Sequence, residues 1–134
     1  MASARFFVPI RIGSTPAQAD EGAALILSGV KTATSSRVGD FPDGVLPFAG
    51  ALSVLLDGRD QPVGIVETLQ VQTVRFDDVT EAMAQAYGEG ERTLAWWRRV
   101  MGDWYRRQSA EQGLVFDGDS LLIWETIAVT RRLA

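Results

Sequence analysis

The segment Leu27–Ser36 reads LSGVKTATSS and contains Lys31, the only lysine among 134 residues. The other basic residues are all arginines, which stay protonated in proteins, whereas burial readily lowers the pKa of a lysine. The chain has no histidine and no cysteine, so acid–base or nucleophilic chemistry would fall to a lysine, a hydroxyl or a carboxylate. Three hydroxyl residues, Thr32, Thr34 and Ser35, accompany Lys31. The alternative is that Lys31 is a solvated residue at a strand start.

This segment joins the first predicted helix to the first predicted strand. Thr15 followed by Pro16 is typical of a helix start, and Gly29 is typical of the position just after a helix end. Residues 32–36 then predict a short strand. Residues three apart in a strand point to opposite faces, so Lys31 and Thr34 can share a site only if the helix exit or a bulge bends the backbone.

Further strands are predicted over residues 51–57, 62–76 and 121–131, and further helices over residues 78–87 and 92–112. In residues 62–76 and 121–131, a row of apolar residues on one strand face is interrupted by a carboxylate, Glu67 and Glu125 respectively. A carboxylate in an apolar row is costly unless it is paired, and Lys31 is one candidate partner. The alternative is that each acid lies near water at a strand end or pairs with an arginine.

Composition limits the classes of protein and ligand. An apolar fraction of 46%, a charged fraction of 22% and a length of 134 residues predict one globular domain spanning residues 1–134. A net charge of −4 argues against a protein that binds long nucleic acid mainly by neutralising phosphates. A small nucleotide-like ligand remains compatible with that charge.

Without cysteine or histidine, no disulfide and no structural zinc site is expected, and we predict no metal and no cofactor. The apolar run at residues 6–10 is too short for a signal sequence, and no later run is long enough to span a bilayer. We therefore expect a cytoplasmic protein without membrane association. The sequence does not indicate an oligomeric state.

Arginines recur every seven residues along the longest predicted helix, at Arg92, Arg99 and Arg106, with Trp96 near them. One interpretation is a solvated helix face. The other is a surface that faces phosphates and stacks one aromatic side chain on a base.

Together these features resemble the ASCH family, whose marker Gly-x-Lys-x-x-Thr is matched by Gly29, Lys31 and Thr34. Residues 27–36, 62–68, 88–94 and 124–126 are also similar to the longer bacterial members, and the resemblance covers about residues 17–131. It implies an α+β, PUA-like fold, an incomplete β-barrel of mostly antiparallel strands flanked by helices.

The resemblance also implies function. RNA or nucleotide binding has been proposed for the family, and some members are amidohydrolases that remove the acetyl group from acetylcytidine. Those members use the Lys and Thr of the marker with a Glu shortly before a Thr-Leu pair. The catalytic residues carried over are thus Lys31, Thr34 and Glu89, with Glu91 as the alternative acid. Other members are described as ribonucleases using Lys with Tyr and Ser, whose counterparts the sequence does not identify.

We therefore predict a cleft around Lys31 that recognises a nucleoside, a nucleotide or a short RNA, with amidohydrolysis of acylated cytidine-type substrates as the candidate reaction. The alternative from another class is a non-catalytic RNA-binding module or a ribonuclease. A third alternative is a domain without chemistry, in which Lys31 pairs with Glu67 or Glu125 for structure alone. The expected substrate-binding residues are Thr32, Ser35, Arg37, Glu67, Glu91, Trp96, Arg99 and Glu125.

Overall fold

The structure, a computed structural model, describes residues 6–133. In that part of the chain the α-helices and β-strands are, in order, α1 (Pro16–Leu27), β1 (Ala33–Arg37), β2 (Leu52–Leu56), β3 (Pro62–Arg75), α2 (Glu81–Tyr87), α3 (Leu94–Glu111) and β4 (Leu121–Arg132). Of the helices in residues 6–133, none combines the length and the apolar character that crossing a membrane requires.

The four strands form one antiparallel sheet in the order β1-β4-β3-β2. Register irregularities interrupt the β3–β4 pairing at two places, and such irregularities bend and twist a sheet. The N-terminal segment extends the sheet beside β2 through parallel bridges from Phe6 to Leu52 and from Ile10 to Leu55. The predicted α+β class, an incomplete antiparallel barrel flanked by helices, is confirmed.

Two hydrophobic clusters hold the helices against the sheet. The larger one joins α2, α3 and β4, and it is built on contacts between the rings of Tyr87, Trp97 and Trp124. The smaller one joins α1 to the strands through residues such as Ile26 and Ile127. The two clusters are separate, and the chain between α1 and β1 leads from the smaller cluster to the larger one, in which Ala33 lies.

The backbone between α1 and β1 fixes the position of Lys31. Gly29 adopts φ 80°, a left-handed conformation that ends α1. The Lys31 N–H then donates to the Leu25 carbonyl at 3.0 Å, and the Thr32 N–H donates to the Ala86 carbonyl of α2 at 2.8 Å. Because β1 begins only after these bonds, Lys31 precedes the strand and Thr34 lies within it. The turn at Gly29, which ends α1, therefore lies between the helix and the strand that contains Thr34.

Both later helices begin further along the chain than predicted. Helix α3 starts at Leu94 because Arg92 has φ 60°, which cannot continue a helix, and Thr93 caps the first turn by accepting from the Trp96 N–H. Helix α2 starts after Thr80, whose hydroxyl accepts from the Met83 N–H.

The predicted buried face of β3 is wrong. Gly64, Val66 and Thr68 face the core, whereas Leu69, on the predicted face, is 50% exposed. Glu67 therefore lies on the opposite side of the strand from the buried residues. In β4 the carboxylate prediction is confirmed, since Glu125 is buried within a strand that is covered on both faces.

Candidate functional site

A cleft of about 450 Å³ lies between the sheet, α1, α3 and the N-terminal segment. Aromatic side chains on its walls come from the N-terminal segment, from the loop after β1 and from α3: Phe7, Phe41, Trp96 and Trp104. The cleft is also lined by hydroxyl and carboxyl groups, which come from β1, β2, β4 and the α2–α3 loop. A cavity of this size with apolar walls and a few polar groups is typical of a site for a small organic ligand.

Lys31 is not part of the cleft lining but contacts one of its residues, Glu89. The residue is only 1% exposed, and its Nζ donates to the Tyr87 carbonyl at 3.1 Å and contacts Glu89 Oε2 at 2.9 Å. The same ammonium lies 3.3 Å from the centroid of the Tyr87 ring, a cation–π contact. Burial lowers the pKa of Lys31 to about 8, although the Glu89 carboxylate opposes that shift. Roughly a tenth of the amine is therefore neutral at pH 7.

Glu89 connects the buried lysine to the cleft. Its side chain is 20% exposed and lines the cleft while it pairs with Lys31. Gly88 and Gly90 flank it, both with positive φ, and a Cβ at Gly88 would lie 2.4 Å from the Val30 carbonyl oxygen. A Cβ at Gly90 would lie 2.0 Å from the ring of Trp96. The two glycines thus let the backbone approach α1 and α3 closely enough to place the carboxylate over the ammonium.

A second acid lies in the sheet part of the cleft. Glu125 is 7% exposed and pairs in register with Thr34 of β1, and both residues line the cleft. Its Oε1 accepts from the Thr68 hydroxyl at 2.9 Å. Burial raises the pKa of Glu125, since desolvation disfavours the charged form more than the Thr68 hydrogen bond favours it. Glu89 and Glu125 therefore have different surroundings, since Glu89 lies beside an ammonium and Glu125 beside a hydroxyl.

Ser35 of β1 forms a hydrogen bond with Tyr105 of α3 at the wall of the cleft. Its Oγ and the Tyr105 hydroxyl are 2.5 Å apart, and both residues line the cleft. Burial raises the pKa of Tyr105 beyond its ordinary range, so this phenol stays protonated. The pair fixes β1 against α3 and leaves two hydroxyl groups at the cleft surface.

The predicted residues divide into two groups. Thr34, Ser35, Glu89, Trp96 and Glu125 line the cleft, with Lys31 directly behind Glu89. The other predicted residues are not brought there, as far as residues 6–133 show: Thr32, Arg37, Glu67, Glu91 and Arg99.

The predicted residues that do not line the cleft either make other contacts or are exposed. The Thr32 hydroxyl donates to the Ala86 carbonyl at 3.3 Å. The buried Arg37 donates to Ser109 at 3.0 Å and to Asp40 at 2.6 Å, so it acts on the cleft only by holding Asp40, which lines it. Glu91 and Arg99 are exposed, and Glu67 is on the outer side of β3. The hypothesis that Lys31 pairs with Glu67 or Glu125 is wrong, because its partner carboxylate is Glu89.

Sequence reasoning missed several polar and aromatic residues of the cleft, among them Phe7, Phe41, Ser53, Asp40, Trp104 and Tyr105. Ser53 interrupts the apolar strand β2, and this interruption was the available signal. Trp104 and Tyr105 follow the helical spacing of the core, so their sequence positions alone could not separate a cleft wall from a packed interior.

The chemistry available in the cleft is that of an ammonium–carboxylate pair, a second carboxyl and several hydroxyls. A lysine with a lowered pKa can exchange a proton near neutral pH, and a threonine hydroxyl can act as a nucleophile. Within the described part of the chain, no group of three or more acidic residues is arranged to hold a metal ion.

The comparison of sequence and the comparison of structure with known proteins point to the same family. The ASCH domain family model matches residues 9–131. A high-resolution crystal structure of an ASCH domain from Lactobacillus crispatus is 29% identical, with a TM-score of 0.87 over 94% of this chain and 80% of that chain. A protein of Enterococcus faecalis is also 29% identical, with a TM-score of 0.85 over 93% of this chain and 76% of that chain.

A tyrosine-to-phenylalanine variant of an ASCH protein from Zymomonas mobilis is 16% identical, with a TM-score of 0.61 over 97% of this chain and 73% of that chain. At that identity the likeness concerns the fold alone. Comparison with curated proteins gives no match.

Proposed function

Because this chain belongs to the ASCH domain family, we propose that its cleft binds a nucleoside or nucleotide and hydrolyses an acylated cytidine-type amide. The observation that carries this proposal is the buried Lys31–Glu89 pair at 2.9 Å, whose carboxylate faces the cleft that Thr34 lines. Burying this ammonium is costly, as its pKa of about 8 indicates, and ionisable groups with strongly shifted pKa values are concentrated at functional sites.

The proposed reaction begins with attack of Thr34 Oγ1 on the acyl carbonyl carbon. The hydroxyl proton passes through Glu89 to the neutral fraction of Lys31, since Glu89 contacts Lys31 and lines the cleft. The C–N bond then breaks, and the proton returns through Glu89 to the leaving nitrogen. This releases the nucleoside with a free amine and leaves an ester on Thr34. Water hydrolyses that ester, which frees a carboxylic acid and restores the hydroxyl.

The aromatic walls supply the other part of the proposal. Trp96 packs on Gly90, next to Glu89, and Trp104 lies further along α3 on the same cleft. Flat rings of this kind stack on nucleobases and contribute about 1–3 kcal/mol per base. They would hold a base beside the reacting groups.

The test compares Thr34→Val and Glu89→Gln with the matched control Glu91→Gln, an exposed acid two residues away. We expect hydrolysis of N4-acetylcytidine, followed by ultraviolet absorbance, to fall by at least about 100-fold in the first two variants. The control should keep its rate within about twofold. Equal rates in Glu89→Gln and Glu91→Gln would contradict the assigned acid, and an inactive wild-type protein would contradict the reaction.

A second candidate function is RNA binding without turnover, which one further observation favours. Arg107 of α3 lines the cleft beside Trp104, and its exposed guanidinium could contact a phosphate there. Binding of a labelled short RNA, measured by fluorescence anisotropy, should then weaken several-fold between 50 and 200 mM salt. Arg107→Gln should flatten that dependence, and affinity that ignores salt would argue against this candidate.

A further inference from the structure

Glu125 has no part in the reaction proposed above, yet it is a buried acid that lines the same cleft. It belongs to β4, paired with Thr34 of β1 on one side and linked to Thr68 of β3 on the other. Ser53 of β2, which is also buried, lines the cleft as well. These residues of the sheet form a polar floor, defined as Glu125, Thr34 and Ser53, under aromatic walls.

The hydrogen bonding of Glu125, a residue of the cleft lining, is incomplete. Thr68 donates to Oε1 at 2.9 Å, and this is the hydrogen bond that the described residues give the carboxyl. A carboxylate has about four acceptor positions on its two oxygens, so Oε2 remains available to a ligand. No arginine or lysine lies within ion-pair distance of it among residues 6–133.

We propose that Glu125 is a specificity-determining residue of this cleft, whose Oε2 accepts a hydrogen bond from an exocyclic amine or amide N–H of the bound base. This proposal rests on the proposed function, because it concerns the ligand of the same site. It names the ligand class more closely, as bases that carry an N–H donor at this edge, such as cytosine and N4-acylcytosine.

Glu125 should favour bases with an N–H donor because its carboxylate is a hydrogen-bond acceptor. Burial raises the pKa of Glu125, which means that the carboxylate lacks solvation and gains from any donor that reaches it. The amine of cytosine, or the amide N–H of its acylated form, is such a donor. Uracil presents a carbonyl oxygen at the same position, and two facing acceptors repel each other.

The experiment measures the affinity of the wild-type protein and of Glu125→Gln for three nucleosides by isothermal titration calorimetry. Cytidine carries the donor, uridine carries an acceptor there, and the riboside of 2-pyrimidinone carries only hydrogen. We expect the wild-type protein to bind cytidine roughly 10- to 100-fold more tightly than the pyrimidinone riboside.

In Glu125→Gln, the amide keeps its oxygen toward Thr68 and turns its NH₂ group to the cleft. The preference for cytidine over the pyrimidinone riboside should then fall to within about threefold, and uridine should bind at least as well as before. Glu111→Gln, an exposed acid at the end of α3, is the matched control and should keep the wild-type preference. If Glu125→Gln fails to fold, Glu125→Asp is used instead. Its side chain is one methylene group shorter, which moves the carboxylate away from the ligand and should reduce the preference for cytidine over the pyrimidinone riboside.

The outcomes separate the two proposals. If the wild-type protein binds none of the three nucleosides, the proposed function fails and the role of Glu125 falls with it. If it binds them but does not distinguish cytidine from the pyrimidinone riboside, only the role of Glu125 is overturned. A preference that survives unchanged in Glu125→Gln likewise assigns the recognition to another group.

Discussion

Replacing Lys31 with methionine should change how the stability of the protein depends on pH. Methionine keeps most of the length and apolar volume of the lysine stem and removes the charge. In the folded protein burial lowers the pKa of Lys31 to about 8 from its ordinary value of 10.5. The unfolded chain therefore binds more protons than the folded chain between these values, so the free energy of unfolding rises with pH in that window.

The size of the effect follows from the two pKa values. A lowering from 10.5 to about 8 corresponds to a preference of about 3 kcal/mol for the neutral amine in the folded state. Between pH 7 and 9.5 this predicts a rise of about 2 kcal/mol in the free energy of unfolding. Burial raises the pKa of Tyr87 and Tyr105, so their opposing effect begins only above the ordinary tyrosine value of 10. The chosen window therefore isolates Lys31.

The assay is urea unfolding followed by tryptophan fluorescence in a series of buffers from pH 7 to 9.5. Subtracting the curve of Lys31→Met from that of the wild-type protein removes the contribution of groups common to both, including Glu125. We expect a difference that grows with pH in favour of the wild-type protein. Parallel curves would show that Lys31 keeps an ordinary pKa, and the argument for a lysine that exchanges protons near neutral pH would fail.

Two further predictions concern the walls of the cleft. Gly90→Ala should destabilise the fold by at least about 2 kcal/mol and slow hydrolysis, because a Cβ there meets the Trp96 ring at a residue with φ 60°. Gly113→Ala is the control, because Gly113 also has a positive φ, 72°, but no atom lies within 4 Å of the added Cβ. This variant should lower the free energy of unfolding by about 1–2 kcal/mol without changing the rate of hydrolysis. Equal losses of stability in the two variants would contradict the clash with Trp96. Tyr105→Phe removes the 2.5 Å hydrogen bond to Ser35 and should lower the free energy of unfolding by about 1–2 kcal/mol in urea titrations.

Local sequence signals predicted the elements that present the site. The cap at Thr15 and the glycine at position 29 define the limits of α1, and both depend only on neighbouring residues. The position of Lys31 follows from them, since it comes directly after the helix exit. Composition also contributed, because the single lysine of the chain was a candidate before any contact was known.

The partners within the site could not be predicted in the same way. Strand β3 carries apolar residues on both faces, so alternation alone did not show whether Glu67 or Thr68 pointed inward. The choice depends on the β3–β4 register, which places Thr68 opposite Ile127, two residues from Glu125, whose carboxyl accepts from the Thr68 hydroxyl. Similarly, the seven-residue spacing of arginines marked a helix face but not its surroundings, and Arg99 is exposed outside the cleft that residues 6–133 form.

The distribution of charge within the cleft bears on which form of ligand it accepts. Four carboxyl groups line the cleft, those of Glu21, Asp40, Glu89 and Glu125, and the ammonium of Lys31 is already paired with Glu89. Two arginines belong to the lining: Arg107 is exposed at the surface, and Arg11 is half-buried and paired with Asp60. A phosphate would therefore be repelled by the carboxyl groups and would meet only cations that are surface-exposed or already paired. Cytidine 5′-monophosphate should thus bind no more than a few-fold more tightly than cytidine at 150 mM salt, where such a surface contact is screened. A gain of about 100-fold from the phosphate would place a cation inside the cleft and contradict this charge arrangement.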